Sequence, residues 1–345
     1  MSGLKKNTAI YANEDGKVVI QDLPLPQARD DEILIEVLYS GVNPSDTRVL
    51  KFFDCRRRVL GGEFCGKVLD CPGLAGTEFK PDEIVAGYVD GSENRPTRYG
   101  SHQQYISIPP AWLLKVPNNL PPAHAAALIT VAQTANDALF NRFRITPPYE
   151  VNAPTEGTLV IWGAASSVGM AAIQLARASR IGFIIVTASP KRHHYLKTLG
   201  ATHCFDYNDE NTIESIKALL LDRGDGPIWG FDAIGTISEP DSQTLLLRSI
   251  PNPEKDNVSL ATVLLAGHDG FEGCLAGRHL DLSLDMPDGQ KLVIPARPDE
   301  ADRMWKALAW TFTHFGDKYQ VPSLQVFKGT AAKALDEVVK VGQFA

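Results

Sequence analysis

Apolar residues follow two different patterns along the chain. Up to about Pro117 the apolar runs are short and broken by Gly, Pro and Asn: Glu32-Ile33-Leu34-Ile35-Glu36-Val37-Leu38, Gly66-Lys67-Val68-Leu69, Ile84-Val85-Ala86-Gly87 and Tyr105-Ile106-Ser107-Ile108. Branched residues in runs this short, bounded by turn formers, predict the strands of a β-rich, barrel-like half. Residues 8–26 predict a further strand and turn. Near residue 120 the pattern changes. Pro121-Pro122-Ala123-His124-Ala125-Ala126-Ala127-Leu128 opens a helix, because proline is tolerated in a first turn. From Gly157 onward strands and helices alternate. Strands are predicted over 158–162, 183–187, 203–206, 230–234 and 261–266, and helices over 168–179, 190–199 and 212–221. Such alternation builds βαβ units on a parallel sheet. Past Leu284 an amphipathic helix (299–315), a strand (324–327) and a last helix (331–339) are expected to pack back onto the N-terminal half.

A chain of 345 residues suits two domains. With 44% hydrophobic and 22% charged residues, a sizeable buried core is expected. The formal charge of −7 argues against a nucleic-acid partner. The one dense basic run, Arg56-Arg57-Arg58, reads as a solvated face before it reads as a binding site. No secretory signal is visible, and no window approaches the ~20 apolar residues that span a bilayer, so no membrane partner is expected. The five cysteines, Cys55, Cys65, Cys71, Cys204 and Cys274, lack CxxC spacing and fit reduced structural thiols in a cytoplasmic protein.

The strand-to-helix turn Gly163-Ala164-Ala165-Ser166-Ser167-Val168-Gly169 carries candidate chemistry. Small residues there let the backbone approach a pyrophosphate, and the helix start offers free N–H groups and partial positive charge. The spacing is not the usual GxGxxG, so the reading rests on the strand–turn–helix–strand context. An NAD site would place Asp or Glu at the end of the second strand, about 20 residues on, to hold the ribose 2′-hydroxyl. This chain reads Thr187-Ala188-Ser189-Pro190-Lys191-Arg192 instead. Ser189 can donate to a 2′-phosphate and Lys191 or Arg192 can supply charge, which favours NADPH. Ser189 followed by proline also suits a helix cap with solvated basic neighbours.

Four segments carry a resemblance: Gly41-Val42-Asn43-Pro44-Ser45-Asp46; Tyr99-Gly100-Ser101-His102-Gln103-Gln104-Tyr105; Thr134-Ala135-Asn136-Asp137-Ala138-Leu139; and Gly163 to Gly169 with Ala172-Ile173-Gln174-Leu175-Ala176. Together they resemble the zinc-independent branch of the medium-chain dehydrogenase/reductase superfamily. The resemblance implies an α/β protein with an N-terminal β-rich GroES-like catalytic domain (1–126, completed by 285–345) and a Rossmann doubly wound parallel-sheet domain that binds NADPH (127–284). Within that branch, the turn with Thr187-Ala188-Ser189-Pro190, Phe205-Asp206-Tyr207 and Phe231-Asp232-Ala233-Ile234 resembles fungal trans-acting enoyl reductases of polyketide synthases and related toxin-cluster reductases. By position Ser189, Lys191 and Tyr207 inherit the adenosine 2′-phosphate. Gly163, Ala165, Ser166, Ser167, Val168, Gly169, Arg192 and Ile234 complete the expected cofactor site with Asn43 and Thr134.

A catalytic zinc of the alcohol dehydrogenase kind needs Cys and His ligands. The cysteine position two residues after Gly41 holds Asn43, the Gly-His-Glu segment reads Gly61-Gly62-Glu63, and the four-cysteine lobe is missing. Glu63 alone reads as a hydrogen-bond or salt-bridge partner. Without a Lewis acid, the expected substrate is an α,β-unsaturated carbonyl compound, whose developing enolate needs hydrogen-bond donors. Asn43, either a donor or a brace of its turn, Arg48, either a substrate contact or a surface arginine, and Thr134, beside the nicotinamide in the family, are the candidate catalytic residues. The tyrosine donor of mitochondrial-type enoyl reductases is replaced by Phe52-Phe53-Asp54. Ser45, Asp46, His102 and Tyr105 read as structural and His193-His194 as surface. The C-terminal Val341-Gly342-Gln343-Phe344-Ala345 departs from the family's usual closing strand. The expected activity is NADPH-dependent C=C reduction on a small-molecule or carrier-protein-tethered substrate, with a polyketide synthase as partner and a monomer or homodimer as the assembly. A quinone or small-enone reductase, or a non-redox isomerase or cyclase that keeps the nucleotide pocket, are the alternatives. Residues 51–59 and 271–287 are expected as substrate-shaping loops.

Overall fold

A computed structural model describes residues 6–27, 29–53, 56–89, 99–265, 267–268, 270–286 and 289–343. Of the positions named above, Asp54, Cys55, Ala266, Pro287, Phe344 and Ala345 lie outside the described residues. The chain divides into two compact units, the first drawn from Met1–Thr130, Gly277–Pro298 and Ser323–Ala345, the second from Val131–Ala276 and Asp299–Pro322.

In the first unit the chain runs β1 (Asn7–Ala12), β2 (Val18–Leu23), β3 (Ile33–Gly41), α1 (Ser45–Phe52), β4 (Arg58–Val59), β5 (Glu63–Val68), β6 (Ile84–Tyr88), β7 (Tyr105–Ile108) and β8 (Leu113–Lys115). The strands are antiparallel, in a sheet ordered β7-β3-β5-β6-β8 and a smaller one ordered β2-β1-β4. Alternate residues of β3 and β7 point inward. Ile33, Ile35, Phe64, Val68, Val85, Ile106 and Ile108 form the core, each worth roughly 2 kcal/mol of burial. α1 was not foreseen in the sequence.

α2 (Pro122–Asn136) starts in the first unit and ends in the second. There follow β9 (Thr158–Trp162), α3 (Ser167–Ala178), β10 (Ile184–Thr187), α4 (Pro190–Leu199), β11 (His203–Phe205), α5 (Thr212–Arg223), β12 (Ile228–Asp232), α6 (Ser242–Ser249), β13 (Val258–Thr262) and β14 (Phe271–Gly273). These strands form a parallel sheet ordered β11-β10-β9-β12-β13-β14. That is the doubly wound order, in which the chain switches direction between β9 and β12. β9, β10 and β12 are buried throughout, as strands covered on both faces must be. β12 and β13 begin earlier than the sequence pattern predicts. The ladder extends upstream through Ile228↔Thr158 and Ile228↔Val258, and β12 ends at Asp232, whose carboxylate accepts the N–H groups of Ile234 and Gly235.

The tail holds a hairpin of β15 (Leu282–Asp285) and β16 (Lys291–Ile294), then α7 (Pro298–Thr313) and α8 (Ala331–Val341). β14 and β15 occupy much of the stretch expected as a substrate loop. α8 packs Val338 and Leu335 against Ile10, Ala12 and Leu60 of the first unit. The expectation that all of 285–345 returns to the N-terminal half is corrected for Asp299–Pro322, which belongs to the second unit. Glu300 pairs with Arg142, Arg303 donates to Asn141 Oδ1 at 2.6 Å, and Gln174 and Gln320 exchange hydrogen bonds at 2.9 and 3.1 Å. The predicted strand 324–327 is also corrected. It follows Ser323 in a left-handed conformation (φ 57°), has no partner strand among the described residues, and leaves Phe327 exposed. No helix among the described residues is long and apolar enough to cross a membrane.

Candidate functional site

The carboxyl ends of the parallel strands position the first group of candidate residues. β9 ends at Trp162, and Gly163 turns the chain with φ 76°; a Cβ on Gly163 would lie 2.6 Å from the Cβ of Ile234. The turn is tied to β10, since Gly163 N–H donates to Thr187 Oγ1 at 3.1 Å and Ala164 N–H to the Thr187 carbonyl at 3.0 Å. Ser166 caps α3: its Oγ accepts from Gly169 N–H at 3.0 Å and donates to the Ala233 carbonyl at 2.7 Å. A Cβ on Gly169 would come within 2.6 Å of Ala164 Cα, so helix and turn approach as closely as backbone allows. Ser167 is exposed, and Ala165 and Val168 are half-buried beside the free end of the helix. The Ser167 and Val168 N–H groups in the first turn of α3 donate to no acceptor among the described residues, and with the helix dipole they can attract an anion.

β10 and β11 run side by side with Thr187 opposite Phe205, so Ser189 and Tyr207 leave adjacent strand ends. Ser189 holds the cap position of α4, yet its side chain makes no cap hydrogen bond. Lys191, Arg192 and Tyr207 are exposed beside it. No carboxylate stands at the end of β10. His193 is half-buried and bonds the Ala188 carbonyl at 2.8 Å, while His194 is exposed. Asp232 is fully buried, which pushes its carboxyl above the ordinary value; donors from Gly235, Ser242, Thr262 and Ile234 oppose that rise. Through the Ile234 and Gly235 amides, Asp232 shapes the turn that sets Ile234 against Gly163.

The first unit organises Asn43. Its backbone N–H donates to Asp46 Oδ2 at 2.8 Å, and its Nδ2 donates to Glu63 Oε1 at 2.6 Å and to Thr130 Oγ1 at 3.4 Å. Glu63 Oε2 accepts the Thr130 N–H at 2.8 Å. Asp46 also meets His102 Nε2 at 3.2 Å, and His102 Nδ1 lies 2.7 Å from Ser40 Oγ. Burial raises the Glu63 carboxyl to about 7 despite these donors. Arg48, on α1, is half-buried and makes no ion pair among the described residues. Thr134, near the end of α2, is almost buried and belongs to the second unit. Sequence reasoning missed Thr130, quoted Thr187 and Asp232 only as motif residues with no role, and valued Glu63 only as a lone carboxylate. Its position two residues after a glycine with φ 89° was the available signal.

Among the described residues no group of three or more His, Cys, Asp and Glu side chains is placed to hold a metal ion. Cys65, Cys71 and Cys204 are free thiols, and burial pushes the Cys65 thiol up to about 12, which makes it inert. A cavity of about 410 Å³ lies at the amino ends of β9, β10 and β12, where the Arg223 guanidinium stands 4.2 Å from the Phe183 ring centroid. None of the expected nucleotide residues borders it.

Residues 29–118 match the alcohol dehydrogenase GroES-like domain family, and residues 167–247 match the zinc-binding dehydrogenase family. The two matches fall one on each unit, in the order the resemblance implied. The pair of matches is consistent with the medium-chain dehydrogenase/reductase superfamily that the sequence resembles. The chain is 32% identical over 214 residues to a trans-enoyl reductase of Aspergillus japonicus (61% of this chain, 60% of the relative). It is 34% identical over 222 residues to one of Aspergillus clavatus (62% and 60%). The chain thus spans 60% of the length of these relatives. The quinone oxidoreductase structure of Coxiella burnetii superposes with a TM-score of 0.65 at 20% identity, covering 98% of this chain and 97% of that one. At that identity the likeness shows the fold.

Proposed function

We propose that this chain is an NADPH-dependent, zinc-free reductase of the C=C bond in α,β-unsaturated carbonyl compounds of the polyketide type, free or tethered to a carrier protein. The observation that carries the cofactor reading is the open pair of strand ends at β10 and β11. Ser189 occupies a cap position without using its hydroxyl to cap, two exposed cations follow it, and no carboxylate follows β10, where an NAD site would hold the ribose hydroxyl. The trans-enoyl reductases among its relatives support the alkene as the bond reduced. The zinc-free reading is supported by the donor set, since Asn43 stands at the cysteine position and both oxygens of Glu63 are engaged by Asn43 and Thr130.

When bound, the cofactor supplies the hydride. The chain's own residues divide the remaining work. The α3 amides with Gly163 and Gly169 take the pyrophosphate, Ser189, Lys191, Arg192 and Tyr207 take the adenosine phosphate, and Ile234 offers an apolar surface beside the turn. Asn43, Arg48 and Thr134 orient the reacting groups and stabilise charge on the substrate oxygen.

NADPH oxidation is expected with enoyl thioesters and enones, faster than with quinones. Tight NADPH binding with no turnover on any of them would leave a non-redox role for the site. Lys191→Ala is expected to raise the NADPH dissociation constant about tenfold, the value of one charge-assisted hydrogen bond in an open site, and to leave that for NADH nearly unchanged. Equal losses for both cofactors in fluorescence titrations would refute the 2′-phosphate role.

A further inference from the structure

Asn43 shows a polarity that its residue type alone does not disclose. Both hydrogens of its Nδ2 have partners inside the first unit, Glu63 Oε1 at 2.6 Å and Thr130 Oγ1 at 3.4 Å, whereas Oδ1 has no partner among the described residues. As the side chain stands, a ligand meets a hydrogen-bond acceptor. A carbonyl or enolate oxygen needs the opposite, a donor.

We propose that Glu63 is a positioning residue that sets which end of the Asn43 carboxamide is offered to a ligand: ionised, it holds the N–H₂ inward and presents Oδ1; protonated, it turns the amide over and presents the N–H₂.

The hydrogen-bond inventory favours the coupling. Glu63 Oε2 accepts the backbone N–H of Thr130, a group that can only donate, and the Thr130 hydroxyl also bonds this carboxylate, so a proton arriving from solvent is best placed on Oε1. That O–H faces the Asn43 N–H₂, donor against donor, in a site where Glu63 is 1% exposed and water cannot separate them. Rotation about the last side-chain bond puts Oδ1 in front of the new O–H and leaves every inner group satisfied. The Thr130 hydroxyl serves in either state because it both donates and accepts. Asp46 holds the Asn43 backbone N–H throughout, so the loop need not move. Asp46 is also the charged group acting on Glu63, from α1; behind it stands His102, at 3.2 Å from the same oxygen. Tyr88 is the cross-strand neighbour of Glu63 on β6. Burial brings Glu63 to about 7, so both states are populated near neutral pH.

The catalytic consequence rests on the alkene-reductase reading above; the amide's orientation does not. Under that reading the protonated state supplies the donor, and turnover falls roughly a hundredfold as pH rises through neutrality, the low end of what one oxyanion donor is worth.

The test uses the full chain labelled with ¹⁵N-asparagine, with the Asn43 side-chain signals identified by their absence in Asn43→Ala. In the wild-type protein without cofactor these signals are expected to titrate near neutral pH. In Glu63→Gln, whose amide donates to Asn43 Oδ1 and accepts from Thr130 at every pH, they stay at the wild-type acid limit, and the step in the kcat profile disappears. Wild-type signals that do not titrate overturn the proposal, and that measurement stands even if the variant fails to fold. Titration retained in Glu63→Gln also overturns it. A switch seen by NMR with no turnover in either protein supports the positioning role and overturns the reductase reading.

Discussion

Gly169→Val is expected to weaken NADPH binding about a hundredfold, a loss of roughly 3 kcal/mol, while leaving the first unit folded. The first atom of any side chain at this position would come within 2.6 Å of Ala164 Cα and 2.9 Å of its carbonyl carbon and oxygen. None of these can move without carrying the turn with it, because Ala164 is tied to Thr187 on the neighbouring strand. α3 must therefore shift its N-terminus away from the turn, breaking the bond from Gly169 N–H to Ser166 Oγ, and with it the alignment of free amides on which anion binding depends. Overpacking of this kind also costs about 1–3 kcal/mol of stability. Fluorescence titration with NADPH reads the first effect and the thermal midpoint the second. Gly182→Ala is the control, since nothing lies within 4 Å of a Cβ there. A Gly169→Val protein that binds NADPH as tightly as wild type would show that this turn does not hold the pyrophosphate.

Arg142→Ala is expected to destabilise the second unit by about 3 kcal/mol, read as a lowered denaturant midpoint for that unit's transition. Arg142 follows α2 in a π-helical turn, Asp137–Arg142, and its side chain is 5% exposed. It pairs with Glu300 of α7, with Glu272 of β14 at 2.7 Å and with Asp137 at 3.8 Å. Burial lowers the guanidinium's proton affinity, and the surrounding carboxylates, Asp137 foremost, more than restore it, so the group stays charged. Removing it takes the cation away from the wholly buried Asp137 carboxyl and loosens the clamp that holds α7 and β14 to the end of α2. Glu272 is 58% exposed and simply returns to water, which keeps the expected loss at the lower end for a broken buried pair. Arg142→Lys should recover only part of it, because one ammonium cannot reach three carboxylates at the geometry of the planar fork.

The residues around Arg142 show what the sequence disclosed and what it withheld. Thr134-Ala135-Asn136-Asp137-Ala138-Leu139 was recognisable as a family segment, but not as the base of a polar clamp. Its partners Glu272 and Glu300 lie more than a hundred residues away, and nothing local couples them. α4 begins and ends as the pattern predicts, because Pro190 at its start and Gly200 (φ 133°) at its end are chain-local signals. β14 was missed. Three residues next to a glycine-rich stretch form a strand only because the edge of β13 is there to pair with. Ser189 could be read two ways from the sequence, as cap or as ligand, and in the folded turn its side chain makes no cap bond.

By itself the sequence determined the two-part architecture, the parallel α/β half with its glycine turn, and the replacement of an acid by Ser189 and Lys191 at the second strand's end. Each of these is written in short-range periodicity or in residue types at fixed spacing. The tertiary structure alone decided that α7 joins the nucleotide unit, that 324–327 has no strand to pair with, and that Asn43 turns its amide toward Glu63. Those outcomes depend on which buried polar groups meet once distant segments pack. A buried donor or acceptor must find a partner wherever the fold supplies one.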